Sequence, residues 1–162
     1  SKLIALLFIS VPFIMIHFFG LFSLSNQNEL INYRMILFIF ILTWTFDTFA
    51  YIFGINFGKR KILPSISPKK SWEGFLGGLI FTLLASYITT LNLFEIDISK
   101  AMIISLFIPF TATLGDFTES YYKRQAGVKD SGSFIPGHGG MLDRMDAFLF
   151  TIPLLYIYLT FL

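Results

Sequence analysis

The segment from Gly115 to Asp146 reads GDFTESYYKRQAGVKDSGSFIPGHGGMLDRMD, and it interrupts a sequence that is otherwise strongly apolar. It contains five acidic residues, four basic residues, one histidine and five glycines after the first. Ionisable residues within a membrane are costly and usually functional, so a concentration of charge at the edge of a bilayer is the default place to look for chemistry. The segment therefore predicts the edge of a membrane bundle and, at that edge, a site of chemistry.

The composition of the whole chain is typical of a membrane protein. Of the 162 residues, 55% are hydrophobic, 14% are charged and 21 are Phe, more apolar than a soluble domain. The net charge of +2 gives no reason to expect a nucleic-acid partner, and the absence of Cys excludes disulfides and thiolate metal sites. We expect one all-α membrane-embedded domain over residues 1–162; further helices before Ser1 are an open alternative.

Five apolar runs predict transmembrane helices that span the roughly 30 Å of a bilayer interior. The runs are Leu3–Leu24, Met35–Ile55, Phe75–Phe94, Ala101–Leu114 and Ala147–Leu162. The fourth is short, so we expect its helix to continue past Asp116. Polar loops are expected at Ser25–Asn32 and from Glu95 to Lys100.

Three aspartates are candidate metal ligands. Asp143 and Asp146 are three residues apart, so in a helix they project from nearly one side. Asp116 follows the fourth apolar run, and Glu119 lies on the same helical side if that helix continues. Crowded carboxylates repel one another unless a cation lies among them, and Mg²⁺ prefers oxygen ligands. Asp116, Asp143 and Asp146 therefore predict a Mg²⁺ site.

A glycine-rich turn follows the first of these acids and indicates a phosphate-binding site. Gly137, Gly139 and Gly140 have no side chains, so their backbone N–H groups can approach a phosphate closely. His138 between them either binds phosphate or only completes the turn. Further positive charge comes from Lys123, Arg124, Lys129 and Arg144.

The loop from Gly58 to Gly74 contains five of the basic residues. Ser67 followed by Pro68 predicts a helix N-cap and first helical position, which would direct a helix N-terminus at an anion. For Lys59 to Lys61 we favour an ordinary basic loop that fixes membrane topology. Lys69 and Lys70 are candidates for phosphate contact.

Asp47 lies inside the second apolar run, about 12 Å of helical rise from Ile55. It is either a protonated or internally hydrogen-bonded group, or it lines the substrate or metal cavity. We favour the second interpretation, because ionisable residues within membranes are usually functional.

The distribution of basic residues predicts the orientation of the bundle. With a cytoplasmic N-terminus and five helices, ten of the twelve Lys and Arg fall on the cytoplasmic side, and only Arg34 and Lys100 fall outside. The basic loops and the acidic site would then share the cytoplasmic face, where the interfacial active site could receive a nucleotide.

Several motifs resemble those of the phosphatidate cytidylyltransferases, also called CDP-diacylglycerol synthases. Ser120–Arg124, Lys129–Gly132 and Pro136–Asp146 are similar to that family's long signature. Asp47–Tyr51 and Ser65–Gly74 resemble two further motifs, in the family's order. Two positions depart from the pattern: Ile55, where arginine is common, and Ala147, where a small hydroxyl residue is common.

The resemblance implies a nucleotidyltransferase of phospholipid biosynthesis in a bacterial inner membrane. It would transfer the cytidylyl group of CTP to phosphatidate, giving CDP-diacylglycerol and diphosphate, with Mg²⁺ and, on the resemblance alone, K⁺. The expected catalytic residues are Asp116, Asp143, Asp146, Lys123, Arg124, Lys129 and Arg144. The expected substrate-binding residues are Asp47, Ser67, Lys69, Lys70, Ser71, Gly137, His138, Gly139 and Gly140.

Two other functions are alternatives. A CTP-dependent lipid kinase has the same membrane setting but would transfer the γ-phosphoryl group and release CDP. A membrane transporter would also account for an acid at Asp47 and a polar segment between helices. A homodimer is a further open alternative for the assembly.

Overall fold

The computed structural model describes residues 10–16, 29–94, 96–128 and 142–161. These residues form five helices and one two-stranded antiparallel sheet. The helices are α1 (described over residues 10–16), α2 (Glu29–Phe57), α3 (Trp72–Asn92), α4 (Ile98–Gln125) and α5 (Leu142–Phe161); the strands are β1 (Lys61–Leu63) and β2 (Ser67–Ser71). The expected all-α membrane bundle is confirmed, with a small hairpin in addition.

Three of the described helices are long and apolar enough to cross a membrane. They comprise Arg34–Phe57 within α2 and all of α3 and α4, while α5 contains a shorter apolar run, Met145–Tyr158. The predicted first span, Leu3–Leu24, lies largely outside the described residues. As predicted, α4 continues past Asp116 and ends at Gln125.

Two predicted loop boundaries are wrong. Residues 29–32 belong to α2 rather than to a polar loop, since Glu29 and Leu30 are good helix formers. Lys100 lies in the first turn of α4, because Asp97 is its N-cap and accepts a hydrogen bond from the Ser99 N–H at 2.7 Å. The Ser99 hydroxyl and N–H also hold the pKa of Asp97 below its usual value.

Helix α3 buries most of its small residues and exposes most of its large apolar ones. The buried side includes Gly74, Gly77, Gly78, Thr82 and Ser86, whereas the exposed side includes Leu76, Ile80, Leu84, Ile88 and Leu91. A Cβ atom at Gly77 would lie 2.3 Å from Cγ of Phe53 in α2, so glycine is needed for this contact. Small residues between helices and large ones outside are typical of a helix that packs in lipid.

The segment between α2 and α3 is a hairpin, and the predicted N-cap at Ser67 is wrong. Pro64 is the second residue of a turn closed by a hydrogen bond from Ile66 N–H to the Leu63 carbonyl at 3.2 Å, a position that proline favours. Ser67–Ser71 then pairs with Lys61–Leu63. The N-cap of α3 is Ser71, whose Oγ accepts a hydrogen bond from Gly74 N–H at 3.2 Å.

Buried side chains form two clusters along the bundle. The larger one joins α2, α4 and α5 and includes Phe38, Leu42, Ile104, Ile108 and Ile152. The smaller one consists of Phe46, Phe75, Ala112 and Ala147. The smaller cluster supports the end of the bundle at which the hairpin lies.

Candidate active site

A cavity of about 760 Å³ lies where α2 meets the hairpin and the starts of α3 and α5. Its lining combines apolar residues of α2 with lysines of the hairpin and acids of three helices. Asp47 lies ten residues before Phe57, which is about 15 Å of helical rise. The cavity therefore reaches well into the apolar part of the bundle, and its volume suits a small organic ligand.

Three carboxylates meet beside this cavity. Asp116 and Glu119 of α4 and Asp146 of α5 each offer an oxygen, and these oxygens lie within 4.8 Å of one another. Asp116 and Asp146 line the cavity, and Glu119 is 5% exposed. Two oxygens bound to one Mg²⁺ at about 2.1 Å lie at most about 4.2 Å apart, so a small adjustment of these side chains would let them share a hard cation.

The contact between α4 and α5 brings the acids together. A Cβ atom at Gly115 would lie only 2.3 Å from the carbonyl oxygen of Asp146, so the two backbones touch beside the carboxylates. Farther along the same helices, the buried hydroxyls of Thr111 and Thr151 share a hydrogen bond of 2.7 Å. Both contacts set the distance between Asp116 and Asp146.

Two lysines make ion pairs with these acids. Lys70 of β2 pairs with Oδ2 of Asp116, and its Nζ lies 5.3 Å from the centre of the Phe117 ring. Lys123 Nζ lies 2.9 Å from Oε2 of Glu119, one helical turn away. The hydroxyl of Ser120 donates to the other oxygen of Asp116, Oδ1, at 3.2 Å. The acid cluster is thus bordered by positive charge from both the hairpin and α4.

The hairpin is attached at its base to the first turn of α3. The Glu73 carboxylate accepts hydrogen bonds from the N–H groups of Lys59 and Arg60 at 3.1 and 3.2 Å. The Trp72 N–H in turn donates to the Arg60 carbonyl at 2.9 Å. These bonds fix the position of β2, and with it the lysines that line the cavity.

Seven of the predicted site residues line the cavity: Asp47, Ser67, Lys69, Lys70, Ser71, Asp116 and Asp146. Lys123 reaches the site through Glu119, and Arg124 is exposed in the last turn of α4. Asp143 and Arg144 belong to the first turn of α5, but their side chains lie outside the described part. Lys129, Gly137, His138, Gly139 and Gly140 also lie outside the described residues.

The structure adds three residues to the predicted site. Glu119 joins the acids, as its spacing from Asp116 allowed, although it was not counted as a ligand. Lys61 lines the cavity, whereas the sequence favoured a purely topological role for it. Glu73 anchors the hairpin, a contact that no sequence pattern indicated. The two residues that depart from the family motifs, Ile55 and Ala147, also line the cavity.

Comparisons with known proteins place this chain in one enzyme family. The sequence profile of the cytidylyltransferase family matches residues 2–162. The chain is 44% identical over 151 residues to the phosphatidate cytidylyltransferase of Staphylococcus saprophyticus, and 42% identical over 151 residues to that of Staphylococcus haemolyticus. It is 44% identical over 155 residues to that of Staphylococcus aureus.

Each of these alignments covers 93% of this chain and 56% of the relative. The chain thus spans little more than half the length of these curated relatives. The match to the family extends over almost every residue and includes the motifs that carried the resemblance. The chain therefore belongs to the cytidylyltransferase family.

Proposed function

We propose that this chain carries the catalytic site of a phosphatidate cytidylyltransferase, which converts CTP and phosphatidate into CDP-diacylglycerol and diphosphate for phospholipid biosynthesis. The observation that carries the proposal is the meeting of three carboxylates within 4.8 Å at a cavity lined by lysines. The names of the Staphylococcus relatives support the choice of substrates.

The reaction joins two anions. An oxygen of the phosphatidate phosphate attacks the α-phosphorus of CTP, the new P–O bond forms, and the bond to the bridging oxygen breaks as diphosphate leaves with the electron pair. A phosphomonoester carries a charge of about −1.5 to −2 near pH 7, so this nucleophile needs no general base. The protein must instead relieve the repulsion between the lipid phosphate and the triphosphate.

The residues of the site fit that task. Asp116, Glu119 and Asp146, together with Asp143, would hold Mg²⁺, which when bound shields negative charge on the reacting phosphates. Lys61, Lys69 and Lys70 line the cavity and attract the triphosphate. The further basic residues in the proposal are Lys123, Arg124, Lys129 and Arg144. K⁺ remains part of the proposal as a second cation, with no residue assigned to it.

The lipid substrate would reach the site from the bilayer. Phe46, Ala50 and Ile55 of α2 give the cavity an apolar side beside Asp47, so acyl chains can stay between helices while the phosphate meets CTP. The hairpin and the acids occupy the same end of the bundle. Because most basic residues belong to that end, we place it at the cytoplasmic face of a bacterial inner membrane.

The test supplies purified protein in detergent with phosphatidate, Mg²⁺ and CTP labelled in either the α- or the γ-phosphate. We expect the α-label in lipid and the γ-label in diphosphate, in equal amounts, with neither product formed when phosphatidate is omitted or EDTA is added. Release of CDP with γ-label in the lipid would favour the lipid kinase instead. CTP that stays intact in this assay, together with passage of a solute across vesicles into which the protein has been reconstituted, would favour the transporter.

Removing the hairpin anchor is expected to weaken nucleotide binding more than it slows chemistry. In Glu73→Ala the N–H groups of Lys59 and Arg60 lose their acceptor, so β2 and its lysines become less well positioned. We expect the KM for CTP to rise by about tenfold, the equivalent of losing one charge-assisted hydrogen bond, with a smaller change in kcat.

The matched control is Asn92→Ala, which removes a side-chain hydrogen bond, from Asn92 Nδ2 to the Ile88 carbonyl at 2.7 Å, at the other end of the same helix. We expect the KM of this variant to equal that of the wild type. If Glu73→Ala also leaves the KM for CTP unchanged while its melting temperature is normal, the hairpin is not positioned by this carboxylate.

A further inference from the structure

We infer that Lys70 is an internal counter-cation, which pairs with Asp116 until a metal ion displaces it and then turns to the nucleotide triphosphate. The inference rests on the proposed function, and it concerns how the same site changes between its metal-free and metal-bound states. It assigns Lys70 a second role, competition with the metal, in addition to phosphate contact.

The contacts of Asp116 indicate that Lys70 and a metal ion would compete for its carboxylate. Its Oδ2 pairs with Lys70 and its Oδ1 accepts the hydrogen bond from Ser120, so each oxygen already has one partner. Asp116 is also one of the three acids whose oxygens converge. A divalent cation that takes an oxygen of Asp116 would meet the Lys70 ammonium at short range. Two positive charges at that distance repel strongly, so the ion and the ammonium exclude each other.

The charge balance of the three acids favours a divalent ion over Lys70. Without metal, the ammonium groups of Lys70 and Lys123 face the three carboxylates of the described cluster, which leaves one negative charge in excess even before the nearby Asp47 is counted. A divalent ion in place of Lys70 neutralises that excess. The exchange is therefore favourable for the acids, and it makes the positive charge of Lys70 available to another anion.

The anchored hairpin keeps the backbone at Lys70 in place while its side chain can turn. Lys70 precedes Ser71, whose side chain caps α3, and Glu73 holds the hairpin base. The backbone of β2 is thus fixed, whereas the four-carbon side chain of lysine is flexible. Lys70 lines the cavity and its side chain is 28% exposed, so its ammonium has space in which to turn from Asp116 toward a bound triphosphate.

Cation binding without nucleotide tests the inference separately from catalysis. We would titrate the detergent-purified protein with Mn²⁺ and measure free Mn²⁺ by electron paramagnetic resonance. Lys70→Met removes the competitor, so Mn²⁺ should bind about tenfold more tightly than in the wild type. Lys69→Met is the matched control, because Lys69 lines the same cavity and makes no ion pair among the described residues. Its Mn²⁺ affinity should equal that of the wild type.

A second measurement needs no variant. An ion-paired lysine reacts slowly with amine-acetylating reagents, so added Mg²⁺ should increase acetylation of Lys70 in the wild type, as read by mass spectrometry, and leave Lys69 unchanged. Equal Mn²⁺ affinity in Lys70→Met and wild type, or labelling of Lys70 that ignores Mg²⁺, overturns the inference and leaves the proposed reaction standing. A wild type that binds no cation at all overturns both the inference and the proposed metal site.

Discussion

Replacing Asp146 by asparagine is expected to lower the rate of CDP-diacylglycerol formation by about 10³-fold or more, since metal-assisted charge stabilisation contributes several kcal/mol. Asparagine has nearly the same shape, and its side-chain oxygen can still accept the hydrogen bond that Ala147 N–H donates to Asp146 Oδ1 at 2.6 Å. The variant therefore loses charge and keeps local structure. Initial rates with labelled CTP measure the loss, and Mn²⁺ titration measures the accompanying fall in cation affinity.

The control for this experiment is Asp97→Asn. Asp97 caps α4 at the end of that helix away from the cavity, and asparagine is an equally good N-cap. The same chemical change at this position should leave both the rate and the cation affinity at wild-type values. Full activity in Asp146→Asn, with an unchanged requirement for Mg²⁺, would mean that Asp146 is not a ligand and that the cation is held elsewhere.

The helices were predictable from sequence because their signal is local. The apolar runs gave α3 to within three residues at each end, whereas α2 begins six residues before its predicted run and α4 ends eleven residues after its own. The hairpin was missed because Lys61–Leu63 and Ser67–Ser71 show no alternation of apolar and polar residues, and β2 contains Pro68. It forms through backbone pairing and through the anchor at Glu73, which lies more than ten residues from its partners in the chain.

The candidate site was predictable in its parts but not in its assembly. The spacing of Asp116 and Glu119 places both on one side of a helix, and this could be read from the sequence. The approach of Asp146 to that pair depends on which helices touch, and the pairing of Lys70 with Asp116 joins residues far apart in the chain. Such contacts follow from packing, for which a single sequence gives no direct signal.

Helices α4 and α5 approach each other closely at Gly115, and Gly115→Ala is the second change expected to have a large effect. The new methyl group would lie 2.3 Å from the Asp146 carbonyl oxygen and 3.0 Å from its carbonyl carbon, both backbone atoms that cannot rotate away. The helices must therefore separate, and Asp146 moves away from Asp116 and Glu119. A misplacement of about 1 Å typically costs about 10²-fold in rate, so we expect at least that loss in CDP-diacylglycerol formation.

The affinity of Gly115→Ala for Mn²⁺ should fall together with its rate. Because the added methyl group overpacks the contact between the helices, the free energy of unfolding should also fall by about 1–3 kcal/mol. Gly54→Ala is the packing control: a Cβ atom there would lie 3.6 Å from Ser71 Oγ and 3.9 Å from the Gly74 Cα, which are ordinary contacts. Its Mn²⁺ affinity and melting temperature should match the wild type. If Gly115→Ala binds Mn²⁺ as tightly as the wild type does, the distance between α4 and α5 does not control the site. The acids would then have to converge through motion of their side chains alone.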